Sequence, residues 1–278
     1  MAKIVEGKKI ADQILKVCKQ TVFKRALKPR LAVILVGADP ASATYVRKKQ
    51  EAAESIGIEC KVYRFEKNIS NTELISQIRK IQSQKLSGII VQLPLPKGLD
   101  KKSILNELKP DIDVDYLSWE SLGKLVIGEN PIVPAAPGAI LEILDFYKVK
   151  IYGRHVVVVG QGDLIGKPLV NLLIQKPMTV TACNKQTKDL AKITRQADIL
   201  ITGVGEPGLI RANMVKAGAV VIDAGTSFVK GKIFGDVDFK NVSKKASLIT
   251  PTPGGVGPIT VAKLLQNTVS IALSQNNK

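Results

Sequence analysis

Seven short β-branched runs constrain this chain most: LAVILVG (31–37), CKVYRF (60–65), GIIVQLPLP (88–96), VVVVG (156–160), TVTAC (179–183), DILITGVG (198–205) and AVVIDAG (219–225). Several are apolar on both faces. A strand with one face in water alternates, whereas a strand apolar on both faces belongs in a parallel sheet covered by helices on both sides. Helical patterns separate the runs, as in SNTELISQIRKIQSQ (70–84), where Leu74, Ile75, Ile78 and Ile81 share a face behind a Ser/Asn cap. The fold class is therefore α/β. Pro131, Pro134 and Pro137 in ENPIVPAAPGA (129–139) should stop a regular element from running through, which places an interdomain connection there. The segment GPITVAKLLQNTVSIALSQ (257–275) reads as a long amphipathic helix that must dock on the body of the protein.

Composition narrows the function classes. The 278 residues carry 41 Lys and Arg against 24 Asp and Glu, a formal charge of +17. Such a charge attracts nucleic acid, anionic membranes or anionic small molecules. The lysines are scattered, however, and aromatic residues are too sparse for base-stacking platforms, so nucleic acid is not expected as a partner. Nor is a membrane: there is no secretory apolar core near the N-terminus and no run of about 18 apolar residues anywhere. Cys18, Cys60 and Cys183 form no CxxC pair, and His155 is the single histidine, so neither a disulfide framework nor a metal is expected. These features suit a reducing, cytoplasmic setting.

Five stretches can carry chemistry. In ASATYVRKKQEAAESIG (41–57), capped by Asp39 or Ser42 and closed by Gly57, helical spacing puts Tyr45, Val46, Lys49, Ala52, Ala53 and Ile56 on one arc, with Arg47 opposite. A lysine inside an apolar stripe either snorkels to the rim, the commoner outcome, or is held partly desolvated, which favours its neutral form and makes it a usable base. In VQLPLP (91–96) a strand ends in Gln92, at the carboxyl end where open α/β sheets bind ligands; a glutamine serving only the loop backbone is the plainer reading. DIDVDY (111–116) has the carboxylate alternation of a metal loop but lacks a calcium loop's glycine and terminal glutamate. VVVVGQGDLIGKP (156–168) runs from a strand through Gly160, Gly162 and Gly166 into a helix, the context in which glycines bring backbone and a helix N-terminus close to a pyrophosphate. The stiff loop PTPGGVGPIT (251–260) is either a hinge or a backbone surface pressed on a ligand.

Taken with GKPLVNLL, ADILITGVG, GDVDF and PGGVGPITVAKLL, these motifs occur in an order that resembles the bifunctional methylenetetrahydrofolate dehydrogenase/cyclohydrolase family over essentially the whole chain. The resemblance implies a folate-binding domain at 1–136 plus 258–278 and a Rossmann dinucleotide-binding domain at 137–257, with the last helix returning to the first domain and the protein forming a homodimer. It implies that 5,10-methylenetetrahydrofolate gives a hydride to a nicotinamide cofactor, and that the 5,10-methenyl product is hydrolysed to 10-formyltetrahydrofolate, a one-carbon donor of purine biosynthesis. Lys49 corresponds to the lysine that moves protons in the hydrolysis, Gln92 to its hydrogen-bond partner, Tyr45 to the residue stacking on the folate and Asp115 to the acceptor for the pteridine ring. Val91, Leu93, Gly254, Gly255, Gly257 and Pro258 would line the same cleft. Gly160, Gln161, Gly162, Ile165, Gly166, Lys185, Gly205 and Thr226 would meet the cofactor. The positive charge suits a folate carrying one or several glutamates.

The chain also departs from that family. Gly160-Gln161-Gly162 replaces a usual Gly-Arg-Ser, Cys183-Asn184-Lys185 replaces Cys-His-Ser, Ala224-Gly225-Thr226 replaces Val-Gly-Ile, and Tyr116 replaces a glycine after Asp115. Most changes fall on the cofactor side. Two alternatives follow: a cyclohydrolase with an impaired dehydrogenase site, or a non-catalytic folate-binding relative. Loss of an arginine that could grip a 2′-phosphate argues against NADP. At the end of the second Rossmann strand, however, Lys185 stands where NAD enzymes place an acid. NADP is therefore expected, with NAD as the alternative.

Overall fold

The computed structural model describes residues 1–229 and 231–277. Contacts divide the chain into two compact α/β units, Met1–Ala11 with Ala136–Thr260 and Asp12–Ala135 with Val261–Lys278. Lys278, placed by the sequence reading at the end of the first domain, lies outside the described residues.

The unit built on residues 136–260 holds a six-stranded sheet in the order Lys3–Ile4, Leu248–Ile249, Val220–Asp223, Ile199–Thr202, His155–Val159 and Thr179–Cys183. Every neighbouring pair is parallel. Val156, Val157, Val158 and Val159 are at most 2% exposed, which is why this run is apolar at every position. Burying each side chain contributes roughly 1.5–3 kcal/mol, enough to fix the strand from which the glycine loop hangs. By contacts residues 1–11 cluster with this unit, where Lys3 and Ile4 pair with Leu248 and Ile249. A two-residue strand has no periodicity from which to read it. Ser227–Val229 and Lys232–Phe234 add a small antiparallel pair that the sequence did not suggest.

The second unit is built on a three-stranded parallel sheet, Glu59–Phe65, Arg30–Val36 and Gly88–Val91, with Arg30–Val36 in the middle. The register sets Val33 against Val62 on one side and Ile90 on the other. Helices Pro40–Ser55 and Asn71–Gln82 follow the first two strands in the chain. Each starts at an acceptor side chain: Asp39 takes the Ser42 N–H at 2.8 Å and Ser70 takes the Glu73 N–H at 3.2 Å. The last helix, Val256–Asn276, contributes its C-terminal part to this unit, where Asn267 donates to the Val114 carbonyl at 3.0 Å and to the Val133 carbonyl at 2.8 Å. No regular element runs through the proline-rich stretch, but one starts in it. Helix Ala135–Phe146 begins inside it, with Pro137 in the first turn, where no intrahelical N–H is needed. The run 88–96 likewise contains only four residues of strand, ending at Val91 before the prolines begin.

Candidate active site

Lys49 sits where the helical arc puts it. Val46, Ala53 and Ile56 are buried, Tyr45, Lys49 and Ala52 are partly buried, and Arg47 points outward to Glu51 at 3.1 Å. The Lys49 Nζ donates to Gln92 Oε1 at 3.1 Å, and Gln92 Nε2 donates to the Leu93 carbonyl at 2.7 Å. The second bond decides the first: with its NH₂ committed to Leu93, the amide has only its oxygen to turn toward the lysine. Backbone fixes the glutamine in turn, since its N–H donates to the Ile34 carbonyl at 2.8 Å, continuing the ladder one residue past the strand. Val91 is 2% exposed and belongs to the core; Leu93 is partly exposed.

The three carboxylates of 111–115 separate into different roles. Asp111 is exposed. Asp113 is fully buried and accepts the N–H groups of Tyr116, Leu117 and Ser118 at 3.0, 2.9 and 2.9 Å and the Ser121 hydroxyl at 2.9 Å. It ties the loop into a tight turn, and no metal is needed to explain it. Among the described residues, no group of three or more His, Cys, Asp or Glu could hold a metal ion. Asp115 is the acid left to act. Burial pushes its carboxyl above the usual range, and the positive charge of Lys49 pulls it partly back, so the two side chains sense one another. Burial also raises the Tyr45 phenol. Tyr116, next in the chain, is 1% exposed and adopts a left-handed φ of +62°.

In the other unit, the glycine loop has the close contacts that its glycines imply. Gly160 has φ +107°, and a Cβ there would lie 2.6 Å from the Gly203 carbonyl oxygen. A Cβ on Gly166 would collide with the Gly160 carbonyl, whereas one on Gly162 would meet open space. Helix Gly166–Ile174 starts without a side-chain cap at Ile165; its Lys167 N–H is taken by the Gly162 carbonyl at 3.1 Å and Pro168 has no N–H, so the loop's own backbone closes most of the first turn. Ile165 packs over Gly203. Gln161 is held by both ends of its amide: Nε2 donates to the Ala182 carbonyl at 3.2 Å, and Oε1 accepts from Asn184 Nδ2 at 3.1 Å. Lys185 and Thr226 are exposed. The glycine cradle, with open space at Gly162, fits a dinucleotide diphosphate.

A buried acid pair organises the neighbouring loops, and sequence reading missed it. Asp236 accepts the Thr202 hydroxyl at 2.7 Å and the N–H groups of Val204, Gly205 and Glu206 at 2.7, 2.9 and 2.8 Å. Asp223 accepts from the N–H groups of Gly225, Asp236 and Val237 at 3.0, 3.1 and 2.9 Å. Burial raises the Asp223 carboxyl to about 6 against these bonds. The signal available in sequence was the GDVDF motif, whose Gly235 and first Asp both serve this network. In the 251–258 loop, Gly255 is buried and packed closely against Pro251 and Thr250, while Gly254 and Gly257 are exposed and Pro258 is partly so. This loop belongs to the six-stranded unit.

Comparison with known proteins adds a family to this geometry. Residues 5–115 match the model of the tetrahydrofolate dehydrogenase/cyclohydrolase catalytic domain, and residues 134–276 match that of the same family's NAD(P)-binding domain. This chain belongs to the tetrahydrofolate dehydrogenase/cyclohydrolase family. The bifunctional protein FolD of Nautilia profundicola is 46% identical over 274 residues, covering 97% of this chain and 96% of the relative. The crystal structure of the bifunctional enzyme FolD from Campylobacter jejuni superposes with a TM-score of 0.95 at 39% identity, covering 99% of this chain and all of that one. The Trypanosoma brucei methylenetetrahydrofolate dehydrogenase-cyclohydrolase, solved with NADP and an inhibitor, gives 0.94 at 36% identity and covers 99% and 98% of the two chains. Among the described residues, no helix is long and apolar enough to cross a membrane.

Proposed function

We propose that this protein carries both activities of its family, oxidising 5,10-methylenetetrahydrofolate to the 5,10-methenyl form and hydrolysing that product to 10-formyltetrahydrofolate. The observation that carries the reading is the Lys49–Gln92 hydrogen bond beside the recessed Asp115. In the hydrolysis, water adds to the methenyl carbon of a cationic substrate. Lys49, as the amine, takes the first proton that the water loses; as the second O–H proton leaves and the formyl C=O forms, the bond from that carbon to the ring nitrogen breaks and one of the two protons ends on the nitrogen. One proton is released overall. Gln92 keeps Nζ in place through a rigid amide, and Tyr45 offers a flat face beside it for the planar ring. Asp115, as the carboxylate, accepts hydrogen bonds from the pteridine. Leu93 and the backbone beside Val91 complete the proposed folate contacts on this unit.

A nicotinamide dinucleotide, when bound, accepts the hydride of the first reaction. Gly160, Gly162 and Gly166, with the helix start at Ile165, are assigned to its diphosphate; Gln161, Gly205 and Thr226 are assigned to its flanks. NADP is the proposed dinucleotide, with exposed Lys185 as the cation for its 2′-phosphate; the T. brucei relative was solved with NADP. The intact cradle supports retention of the dehydrogenase beside the hydrolase. Further parts of the proposal are a homodimer, a cytoplasmic setting and acceptance of polyglutamylated folates. The test supplies methylenetetrahydrofolate with NADP or NAD and follows methenyl formation, then supplies the methenyl compound and follows its loss. Activity only in the second assay would remove the dehydrogenase. Inactivity in both, with folate still bound, would reduce the protein to a folate binder.

A further inference from the structure

The six-stranded unit has a concavity of about 510 Å³ at the opposite end of its sheet from the glycine loop. Its floor includes Ile199, Val220 and Leu248, the first residues of three parallel strands, whereas the glycine loop leaves the last residue of its strand. Strands of four or five residues separate the two places by roughly 13–17 Å. Among the described residues, Lys3, Lys150, Arg154 and Lys216 bring four cationic side chains to the wall, against the single carboxylate of Asp198. That carboxylate is already committed: it takes Lys216 Nζ at 2.7 Å and the His155 N–H at 3.1 Å, with Arg154 Nη1 at 3.8 Å. The Lys216 hydrogen bond, followed by that of His155, holds its pKa below the usual value. Tyr147 stiffens the rim, since Lys3 Nζ lies 4.9 Å from its ring centroid and its hydroxyl accepts the Glu6 N–H at 3.1 Å. The volume is in the range of small-ligand sites. Cations gathered in a concavity attract an anion more strongly than the same charges spread over a convex surface, because the low-dielectric walls focus their field.

We infer that this concavity is a second anion site, separate from the dinucleotide loop, that takes a compact phosphorylated molecule with two or more negative charges. The Arg154 fork suits phosphate oxygens in pairs, and Lys3 and Lys150 supply point charges on the other side. Lys216 and Arg154 exchange part of their contact with Asp198 for the ligand. Arg154 and Lys216 side chains are each 48% exposed, so binding falls steeply with salt.

Inorganic tripolyphosphate is the probe, titrated calorimetrically into the full-length protein already saturated with NADP, so that the glycine loop is closed to it. One binding event is expected. Lys150→Gln combined with Arg154→Gln should weaken it about tenfold, and Asp198→Asn, whose amide oxygen can still accept from His155, should tighten it several-fold. The charge-matched pair Lys188→Gln and Lys192→Gln, both exposed elsewhere on the unit, should leave it unchanged. The opposed directions guard against reading misfolding as loss of a site. The inference is overturned by absence of binding, by equal weakening in the charge-matched pair, which would mean diffuse attraction to a +17 protein, or by indifference to Asp198→Asn.

Discussion

Tyr116→Phe should stabilise this protein, and the size of the gain can be worked from its surroundings. The residue is 1% exposed, and among the described residues its hydroxyl has no hydrogen-bond partner. Burial, reinforced by Asp113, Asp111 and Glu120, raises its pKa to about 12, so it stays a neutral, unpaired hydroxyl through the physiological range. An unsatisfied buried hydroxyl costs about 1–3 kcal/mol, and removing it leaves too little space to count as a cavity. The backbone strain of φ +62° is common to both residues and cancels. So does the bond from the residue-116 N–H to Asp113, at 3.0 Å, since phenylalanine keeps that donor. The net gain should be about 1–2 kcal/mol. Tyr116→Gly is the informative opposite: it relieves roughly 1 kcal/mol of left-handed strain but empties a ring-sized site worth about 3–5 kcal/mol, so it should destabilise. Urea unfolding read by circular dichroism, with the slope compared between variants because a two-unit chain need not unfold in one step, measures both. A Tyr116→Phe protein less stable than the wild type would refute the reasoning by showing that the hydroxyl has a partner.

Other perturbations separate the proposed roles. Lys49→Met should lower methenyl hydrolysis by about 10²–10⁴-fold, the span of a lost proton-transfer group, with circular dichroism and melting unchanged; a near-normal rate in folded protein would end the assignment. Because the Asp115 carboxyl is raised, its charge is lost at a higher pH than for an ordinary aspartate. The KM for folate should therefore climb as pH falls toward the acid range, and Asp115→Asn should bind more weakly but without that climb; steady-state kinetics across pH tests it. Gly166→Ala drives a methyl into the Gly160 carbonyl and should abolish dinucleotide binding at a stability cost of about 1–3 kcal/mol, read by fluorescence titration and melting. Lys185→Ala should cost roughly 1 kcal/mol of NADP affinity at low salt and little for NAD; NADP binding indifferent to the change would refute the assignment of the 2′-phosphate.

The sheets were legible because their signal is local. Val156 to Val159 are buried on both faces and announce it in four consecutive letters. The arc of helix Pro40–Ser55 was equally plain, since Tyr45, Val46, Lys49, Ala53 and Ile56 follow from helical spacing alone. What sequence could not show were interactions whose partners are distant backbone groups. Asp113 and Asp115 look alike in DIDVDY, yet the first is consumed by three N–H groups and a serine while the second stays available. Asp236 is bonded to residues 30 to 34 positions away, and Asn267 reaches carbonyls 153 and 134 positions away. No periodicity encodes such pairs. They decide which acid is structural and which can meet a ligand.

The same distance effect changes the meaning of the chain's departures from its family at the cofactor loop. Read one at a time, Gln161 in place of arginine and Asn184 in place of histidine look like losses. In the folded protein they are partners: the Asn184 amide donates to Gln161 Oε1, and the Gln161 amide donates to the Ala182 carbonyl, so the pair bridges the ends of strands His155–Val159 and Thr179–Cys183. Asn184 is itself held, accepting the Gln186 N–H at 2.9 Å and donating its own N–H to the Thr187 hydroxyl at 2.9 Å. A neutral bridge with its amide groups engaged stiffens the crevice but contributes no charge to a phosphate. In the proposed NADP complex, recognition of the 2′-phosphate would fall to the exposed Lys185 on the same turn, a point charge on a flexible stem rather than a planar fork. The Gln161–Asn184 pair thus keeps the scaffold while the proposed charge sits on Lys185 instead of position 161, so NADP preference in this chain should depend on salt more than it would with an arginine in the loop.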